Sequence, residues 1–146
     1  MILIDANLLL YAYDRSSPQH PEAKRWLERT LVSDEGVRLA LVTLLAFLRI
    51  STSAAVFRRP LPAREAIGIV TSWLQLPSVG VAEPSDGHWS LLETLTRRGQ
   101  ARGALLMDAH LAALAIEHGA TLCTTDRDFA RFPRLKLRNP LEERES

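Results

Sequence analysis

Short apolar runs alternate along this chain with longer segments whose apolar residues recur at helical spacing. The short runs predict strands over residues 1–4, 37–40, 79–82 and 120–124, with a weaker strand over 135–138. The segments between them predict helices over residues 8–13, 21–31, 43–52, 64–76 and 106–118, with a further helix that ends at Arg98. Strands that alternate with helices favour βαβ units. The pattern therefore predicts an α/β fold with a mostly parallel central sheet of about four to five strands.

Polar and turn-forming residues mark the ends of these predicted helices. Asn7 is placed to cap the first helix, and Ser85 or Asp86 is placed to cap the helix that ends at Arg98. Residues 54–63 contain two prolines and predict an irregular loop between two helices. No repeat and no low-complexity segment interrupts the chain, which favours one domain.

Length and composition agree with a single globular domain. The chain has 146 residues, so we expect one domain over residues 1–141 and a frayed tail over residues 142–146. The net charge of +1 indicates no class of partner. A single cysteine, Cys123, excludes an internal disulfide and a cysteine-rich zinc site. Neither a signal peptide nor a bilayer-spanning apolar run is present, so we expect a cytoplasmic protein without a membrane partner.

Three aspartates fall where a parallel sheet would gather them. Asp5 ends the first predicted strand, Asp126 follows the fourth, and Asp108 lies in the first turn of the helix before that fourth strand. Ligands bind beyond the carboxyl ends of parallel strands, so Asp5 and Asp126 share one crevice if their strands are neighbours. Clustered carboxylates need a cation, and oxygen ligands favour Mg²⁺ or Mn²⁺. Such an ion can activate water and stabilise charge on a phosphate.

Each of these aspartates also has a structural explanation. Asp5 could cap the first helix, and Asp126 could cap a short helix over residues 127–131. Asp108 gains from the dipole at its helix N-terminus. Asp128 is interpreted as support for the site rather than as a direct ligand. The metal-site hypothesis therefore depends on the three aspartates meeting in the folded chain.

Basic residues are concentrated in the same part of the sequence. Acidic residues over positions 97–138 number four, against eight basic ones, which are Arg97, Arg98, Arg102, Arg127, Arg131, Arg134, Lys136 and Arg138. An acidic pocket with arginines at its rim suits a substrate with a phosphate backbone. A solvated helix face is the alternative explanation for the scattered arginines.

Three segments resemble the motifs of PIN domains. They read IDANLLLYA at residues 4–12, DAHLAALA at 108–115 and TTDRDF at 124–129, in the order and spacing of VapC-type toxins from toxin–antitoxin pairs. The resemblance covers essentially the whole chain and implies a three-layer α/β/α PIN-like fold. It also implies a Mg²⁺- or Mn²⁺-dependent endoribonuclease that hydrolyses RNA, forms a homodimer and is inhibited by a VapB-type antitoxin. The residues it implies as metal ligands are Asp5, Asp108 and Asp126, supported by Asn7 and Asp128.

One position departs from the pattern of that family. Ala46 stands where the family usually has a glutamate, within the stretch LLAFLR at residues 44–49. The aligned site therefore has one carboxylate fewer. One metal ion could bind with more water ligands, another acid could compensate, or activity could be weak. Glu93 and Asp128 are the candidates for compensation.

Three other functions remain as alternatives. A catalytically weakened PIN domain that binds RNA or a partner is kept open by Ala46. A structure-specific DNA nuclease is disfavoured, because the chain has no extra segment to thread a strand. A signalling receiver domain is disfavoured because Asp5 is followed by Ala6 instead of a second acid, and because Lys136 is the only late lysine.

The four histidines are interpreted as core or surface residues. They share no metal-binding spacing, and their positions are His20, His88, His110 and His118.

Overall fold

Five parallel strands form the centre of the computed structural model, which describes residues 1–142. The strands are β1 (Ile2–Ile4), β2 (Val37–Ala40), β3 (Val79–Ala82), β4 (Thr121–Cys123) and β5 (Leu137–Arg138). Their order across the sheet is β3-β2-β1-β4-β5, and every neighbouring pair is parallel. The middle strand, β1, is a continuous buried apolar run because helices cover both faces of the sheet. The predicted parallel sheet is confirmed.

Six α-helices surround the sheet in the described part of the chain. They are α1 (Ala6–Tyr13), α2 (His20–Leu31), α3 (Leu41–Ser51), α4 (Ala63–Leu74), α5 (His88–Arg98) and α6 (Leu105–Glu117). A short 3-10 helix, Arg127–Arg131, follows β4. Residues 54–62 form a loop as predicted, and Ala63, the last residue of the predicted loop, is the first residue of α4.

The buried side chains form two cores, one on each face of the sheet. Ile2 and Ile4 of β1 pack into a core with residues of α1, α2, α3 and α4. Leu3, between them, faces the opposite way into a core with α5, α6 and the 3-10 helix. This alternation follows from the two-residue period of a strand. The predicted three-layer α/β/α arrangement is confirmed.

Two predicted helix caps are wrong. Asn7 lies inside α1, and the cap is Asp5, whose Oδ1 accepts a hydrogen bond from the Ala6 backbone N–H at 2.8 Å. Helix α5 begins after Gly87 without a side-chain cap, so neither Ser85 nor Asp86 caps it. The Ser85 hydroxyl instead donates to the Glu117 carboxylate at 2.8 Å. In this second case a tertiary hydrogen bond replaces the local one.

The end of the described chain is held by a surface contact. Arg127 Nη2 donates to Glu142 Oε1 at 3.2 Å, so the first residue of the predicted tail contacts the domain. Residues 143–146 of that tail lie outside the described residues. None of the helices within residues 1–142 is long and apolar enough to cross a membrane.

Candidate active site

The ends of β1 and β4 bring two of the predicted site residues to the same edge of the sheet. Ile4 pairs with Cys123 in the parallel register, and the Asp5 backbone N–H donates to the Cys123 carbonyl at 3.0 Å. Asp126 follows Cys123 by three positions. The two strands are therefore neighbours, which was the condition for Asp5 and Asp126 to share a crevice.

Thr124 connects these two aspartates directly. Its hydroxyl donates to Asp5 Oδ2 at 2.8 Å and accepts from the Asp126 backbone N–H at 3.0 Å. The side chain is buried, with 3% of its surface exposed. Thr124 lies in one of the motifs, but the sequence predicted no role for it, although a threonine hydroxyl commonly bonds the backbone N–H two residues later in a turn.

Both strand-end aspartates also cap a helix. Asp5 caps α1, and Asp126 Oδ1 accepts from the Asp128 backbone N–H at 2.9 Å at the start of the 3-10 helix. The structural explanation given for each from the sequence is therefore correct. It does not exclude a second role, because an ionised carboxylate offers about four acceptor sites and capping uses one.

The third aspartate, Asp108, lies near enough to the other acids for their charges to raise its pKa. Burial is the largest cause that raises the pKa of Asp108, to about 6. The negative charges of Asp126, Asp5 and Asp128 raise this pKa further, and the Arg131 guanidinium lowers it. Burial also raises the pKa of Asp5, against the lowering effect of its hydrogen bonds, and the charge of Asp126 adds to the increase. The fold therefore gathers these acids into one electrostatic unit.

The donor chemistry of this site fits a hard divalent cation. Its groups are carboxylate and hydroxyl oxygens, which Mg²⁺ and Mn²⁺ prefer. Neighbouring negative charges add to the effect of burial in raising the pKa of Asp5 and Asp108, and a bound cation would offset that repulsion. Within residues 1–142, however, no three histidine, cysteine, aspartate or glutamate side chains already stand as a closed ligand set. The acids share a region, and their ligand role stays a prediction.

The predicted supporting residues fall in different places. Asp128 is exposed, and its charge acts on Asp108. Asn7 is half-buried in the first turn of α1, and Ala46 is half-buried on α3. The Glu93 carboxylate is exposed and accepts a hydrogen bond from the Trp89 indole, one turn earlier on α5. Its charge is not among those that act on Asp108. Of the two candidates for compensation, Asp128 is the one whose charge raises the pKa of Asp108, and compensation by either acid stays a prediction.

Two helices are joined by a histidine network that the sequence did not indicate. His88 Nδ1 lies 3.0 Å from Glu117 Oε2, and His88 Nε2 lies 2.9 Å from His110 Nδ1. His88 is buried between α5 and α6. These residues lie 22 and 29 positions apart, so no local spacing predicts the contact. The network ties α6, the helix that carries Asp108, to α5.

A large groove lies elsewhere on the protein. It has a volume of about 980 Å³ and is lined by residues of α1, α2, α4 and the loop before α4, Tyr13 and Phe57 among them. None of the three site aspartates lines it. The acidic site is therefore separate from this groove.

Comparison of the whole chain with known proteins agrees with the fold and the motifs. The model of the PIN domain family matches residues 2–135. The chain is 40% identical over 140 residues to Ribonuclease VapC37 of Mycobacterium tuberculosis, a match that covers 96% of this chain and 97% of the relative. It is 39% identical over 143 residues to Ribonuclease VapC33 of the same species, a match that covers 98% of this chain and 100% of that relative. This chain belongs to the PIN domain family and, within it, to the VapC group. The resemblance predicted from the motifs is confirmed.

Solved structures show the same fold at lower sequence identity. VapBC2 from Rickettsia felis, bound to a promoter DNA fragment, superposes with a TM-score of 0.68 at 21% identity, over 95% of this chain and 98% of that one. VapBC-1 from nontypeable Haemophilus influenzae superposes with a TM-score of 0.66 at 17% identity, over 96% of this chain and 98% of that one. At these identities the similarity supports the three-layer fold.

Proposed function

We propose that this protein is an endoribonuclease toxin that hydrolyses RNA phosphodiesters with a Mg²⁺ or Mn²⁺ ion held by Asp5, Asp108 and Asp126. The observation that carries the proposal is the meeting of Asp5 and Asp126 at the paired ends of β1 and β4, where the Thr124 hydroxyl bridges them, with Asp108 near enough for their charges to raise its pKa. It occurs in a chain 40% identical to Ribonuclease VapC37. When bound, a divalent ion at such a site supplies an activated water and stabilises charge on the phosphate.

The protein's own contribution is to hold the carboxylates in place. Asp5 is fixed by the Thr124 hydroxyl and the Ala6 N–H, and Asp126 by the Asp128 N–H. Asp108 is carried by α6, whose small residues lie buried against its neighbours. Carboxylates on rigid elements lose little freedom when they bind an ion or a substrate, which favours catalysis.

Cleavage of total cellular RNA tests the proposal. The wild-type protein is expected to cleave with Mn²⁺ and to stop when EDTA is added. Asp5→Asn and Asp126→Asn keep an acceptor oxygen for the caps but lose the charge, so we expect at least a roughly hundredfold loss of activity. Asp86→Asn is the matched control, because Asp86 is exposed in the loop before α5. Cleavage that persists in EDTA, or equal activity in all variants, would contradict the proposal.

A weakened enzyme that binds RNA is the second candidate function. It is favoured by Ala46 and by the open arrangement of the acids within the described residues. In the same assay it predicts RNA binding by wild-type protein without cleavage at any Mn²⁺ concentration. Single- and double-stranded DNA included as substrates test the DNA nuclease alternative.

We also infer an antitoxin partner. The solved structures of similar fold include VapBC and FitAB assemblies and a toxin–antitoxin complex from Klebsiella pneumoniae. A VapB-type protein encoded beside this chain is therefore expected to co-purify with it and to suppress its ribonuclease activity. Failure of that neighbour to bind would contradict the inference. The homodimer and the cytoplasmic location stay predictions.

A further inference from the structure

Arg131, the last residue of the 3-10 helix, has its guanidinium fixed by two backbone carbonyl groups. Its Nη1 donates to the Gly99 carbonyl oxygen at 3.0 Å, and its Nε donates to the Asp128 carbonyl oxygen at 3.2 Å. Gly99 follows α5, so the side chain joins the end of α5 to the short helix after β4. The charged group is therefore held in one place although the residue is exposed.

Packing at the end of α5 keeps this anchor in position. A Cβ at Gly99 would lie 2.8 Å from the ring of Phe132, so only glycine fits there without a shift. Phe132 is itself buried in the core with α5 and α6. Carbonyl oxygens at the end of a helix carry partial negative charge, which favours a cation beside them. The position of the guanidinium thus follows from the fold.

This cation lies beside the acids without being paired with one of them. Its Nε donates to the Asp128 carbonyl oxygen at 3.2 Å, and the Asp128 backbone N–H donates to Asp126 Oδ1 at 2.9 Å, so one residue separates the guanidinium from a predicted ligand. Within residues 1–142 no carboxylate lies at salt-bridge distance from it. Two of its three nitrogens donate to carbonyls, and Nη2 makes no hydrogen bond to the described residues. A held guanidinium with a spare donor is suited to an anionic oxygen.

We propose that Arg131 binds a phosphate group of the RNA backbone beside the acidic site. The inference rests on the proposed ribonuclease function and deepens it by naming a substrate-binding residue. A cluster of carboxylates repels a polyanion, and a fixed positive charge at its edge offsets that repulsion. Because the guanidinium is already ordered, binding requires little loss of side-chain entropy.

Arg127 offers a matched control on the same short helix. Its Nη2 already pairs with Glu142 at 3.2 Å, its side chain is 89% exposed, and it is not among the charges that act on Asp108. Arg127→Gln therefore removes one positive charge from the same helix without removing the proposed phosphate-binding group.

Binding of a fluorescent single-stranded RNA in EDTA, over a series of salt concentrations, tests the proposal. Arg131→Gln is expected to weaken binding by about tenfold, the usual size of one charge-assisted hydrogen bond. It should also reduce the slope of log affinity against log salt by about 0.7, the value expected when one phosphate is no longer neutralised. Arg131→Lys should keep most of the slope, because the charge remains. Arg127→Gln should change neither quantity beyond a small long-range effect.

A purely structural role for Arg131 has a different signature. It would lower the melting temperature and the Mn²⁺ affinity of Arg131→Gln while leaving the salt slope unchanged, and that result would overturn the proposal. Equal losses in Arg131→Gln and Arg127→Gln would also overturn it. If wild-type protein cleaves RNA and Arg131→Gln binds and cleaves equally well, only this inference fails. If wild-type protein cleaves no RNA, the ribonuclease proposal fails whatever the binding series shows.

Discussion

The Thr124 hydroxyl links the two strand ends that carry Asp5 and Asp126. The bond to the Asp126 N–H is local and belongs to a recognisable turn. The bond to Asp5 Oδ2 joins residues 119 positions apart, and no local pattern predicts it. The site therefore combines residues that could be predicted singly with a connection that required the fold.

Removal of this hydroxyl tests its importance. Thr124→Val keeps the shape of the side chain but leaves Asp5 Oδ2 and the Asp126 N–H without this partner. We expect a loss of about 1–3 kcal/mol in the free energy of unfolding. We also expect Mn²⁺ affinity to fall about ten- to a hundredfold, the range for residues that orient metal ligands. Urea unfolding and calorimetry measure the two effects. Thr124→Ser should stay close to wild type, and equal behaviour of both variants would contradict this role.

The raised pKa of Asp108 predicts a pH effect in metal-free protein. The pKa of the folded carboxyl is about 6, against 3.8 for a free side chain. Between these values the folded state binds more protons than the unfolded state, so this group's contribution to stability falls as pH rises. Asp108→Asn mimics the protonated form. It should match wild type near pH 4 in EDTA and exceed wild-type melting temperature near pH 7. A difference that does not change with pH would contradict the assignment.

The strands were easier to predict than the ends of the helices. Strands β2 and β3 begin and end at the residues that the short, mainly apolar runs predict. The predicted caps at Asn7 and Ser85 are wrong for different reasons. The Asp5 carboxylate caps α1 in place of Asn7, and the Ser85 hydroxyl donates to the distant Glu117 carboxylate instead of capping α5. Local capping rules give the hydrogen bonds that a side chain can make, but tertiary contacts decide which of them forms.

The histidine network between α5 and α6 should contribute to stability. His88→Ala removes two hydrogen bonds and leaves the Glu117 carboxylate, 8% exposed, without its histidine partner. We expect a loss of about 2–3 kcal/mol in the free energy of unfolding. His118→Ala is the control, since His118 makes one exposed bond to the Glu83 carbonyl and should lose under about 1 kcal/mol. Equal losses in guanidinium unfolding would count against the network.

Helix α3 carries Ala46, the position at which the motif resemblance predicts the family's usual glutamate. Ala46 is half-buried, and α3 follows β2, the strand beside β1. On that alignment a glutamate at position 46 would supply the missing carboxylate, so Ala46→Glu is expected to tighten Mn²⁺ binding and to raise ribonuclease activity. Ala46→Gln controls for size without charge. Calorimetry that shows no change in Mn²⁺ affinity for Ala46→Glu would contradict the alignment of this position.

The order of the strands makes the acidic site possible. Strand β4 inserts next to β1 although the two are separated by most of the chain, and the helix that precedes β4 brings Asp108 to the same region. Helices on the two faces hold this edge from both sides. The site thus depends on the crossover connections of the entire domain.

Ion binding should therefore stabilise the complete domain. At a concentration of Mn²⁺ about 100 times its Kd, mass action adds about 2.7 kcal/mol to folding. For a chain of this length that corresponds to an increase of several degrees in Tm. Asp5→Asn should abolish the increase and Asp86→Asn should keep it, as measured by thermal unfolding with and without Mn²⁺. An equal increase in both variants would indicate nonspecific binding.

Apolar periodicity was sufficient to predict the strands and the helices, because each depends on neighbours within a few residues, and the alternation of strands with helices then predicted a parallel sheet. Aspartates at strand ends could likewise be predicted, together with the family to which their motifs belong. The bridge through Thr124, the contact of His88 with His110 and the anchoring of Arg131 could not. These bonds join residues from 22 to 119 positions apart. Their formation depends on which strands and helices become neighbours, and local spacing carries no information about that choice.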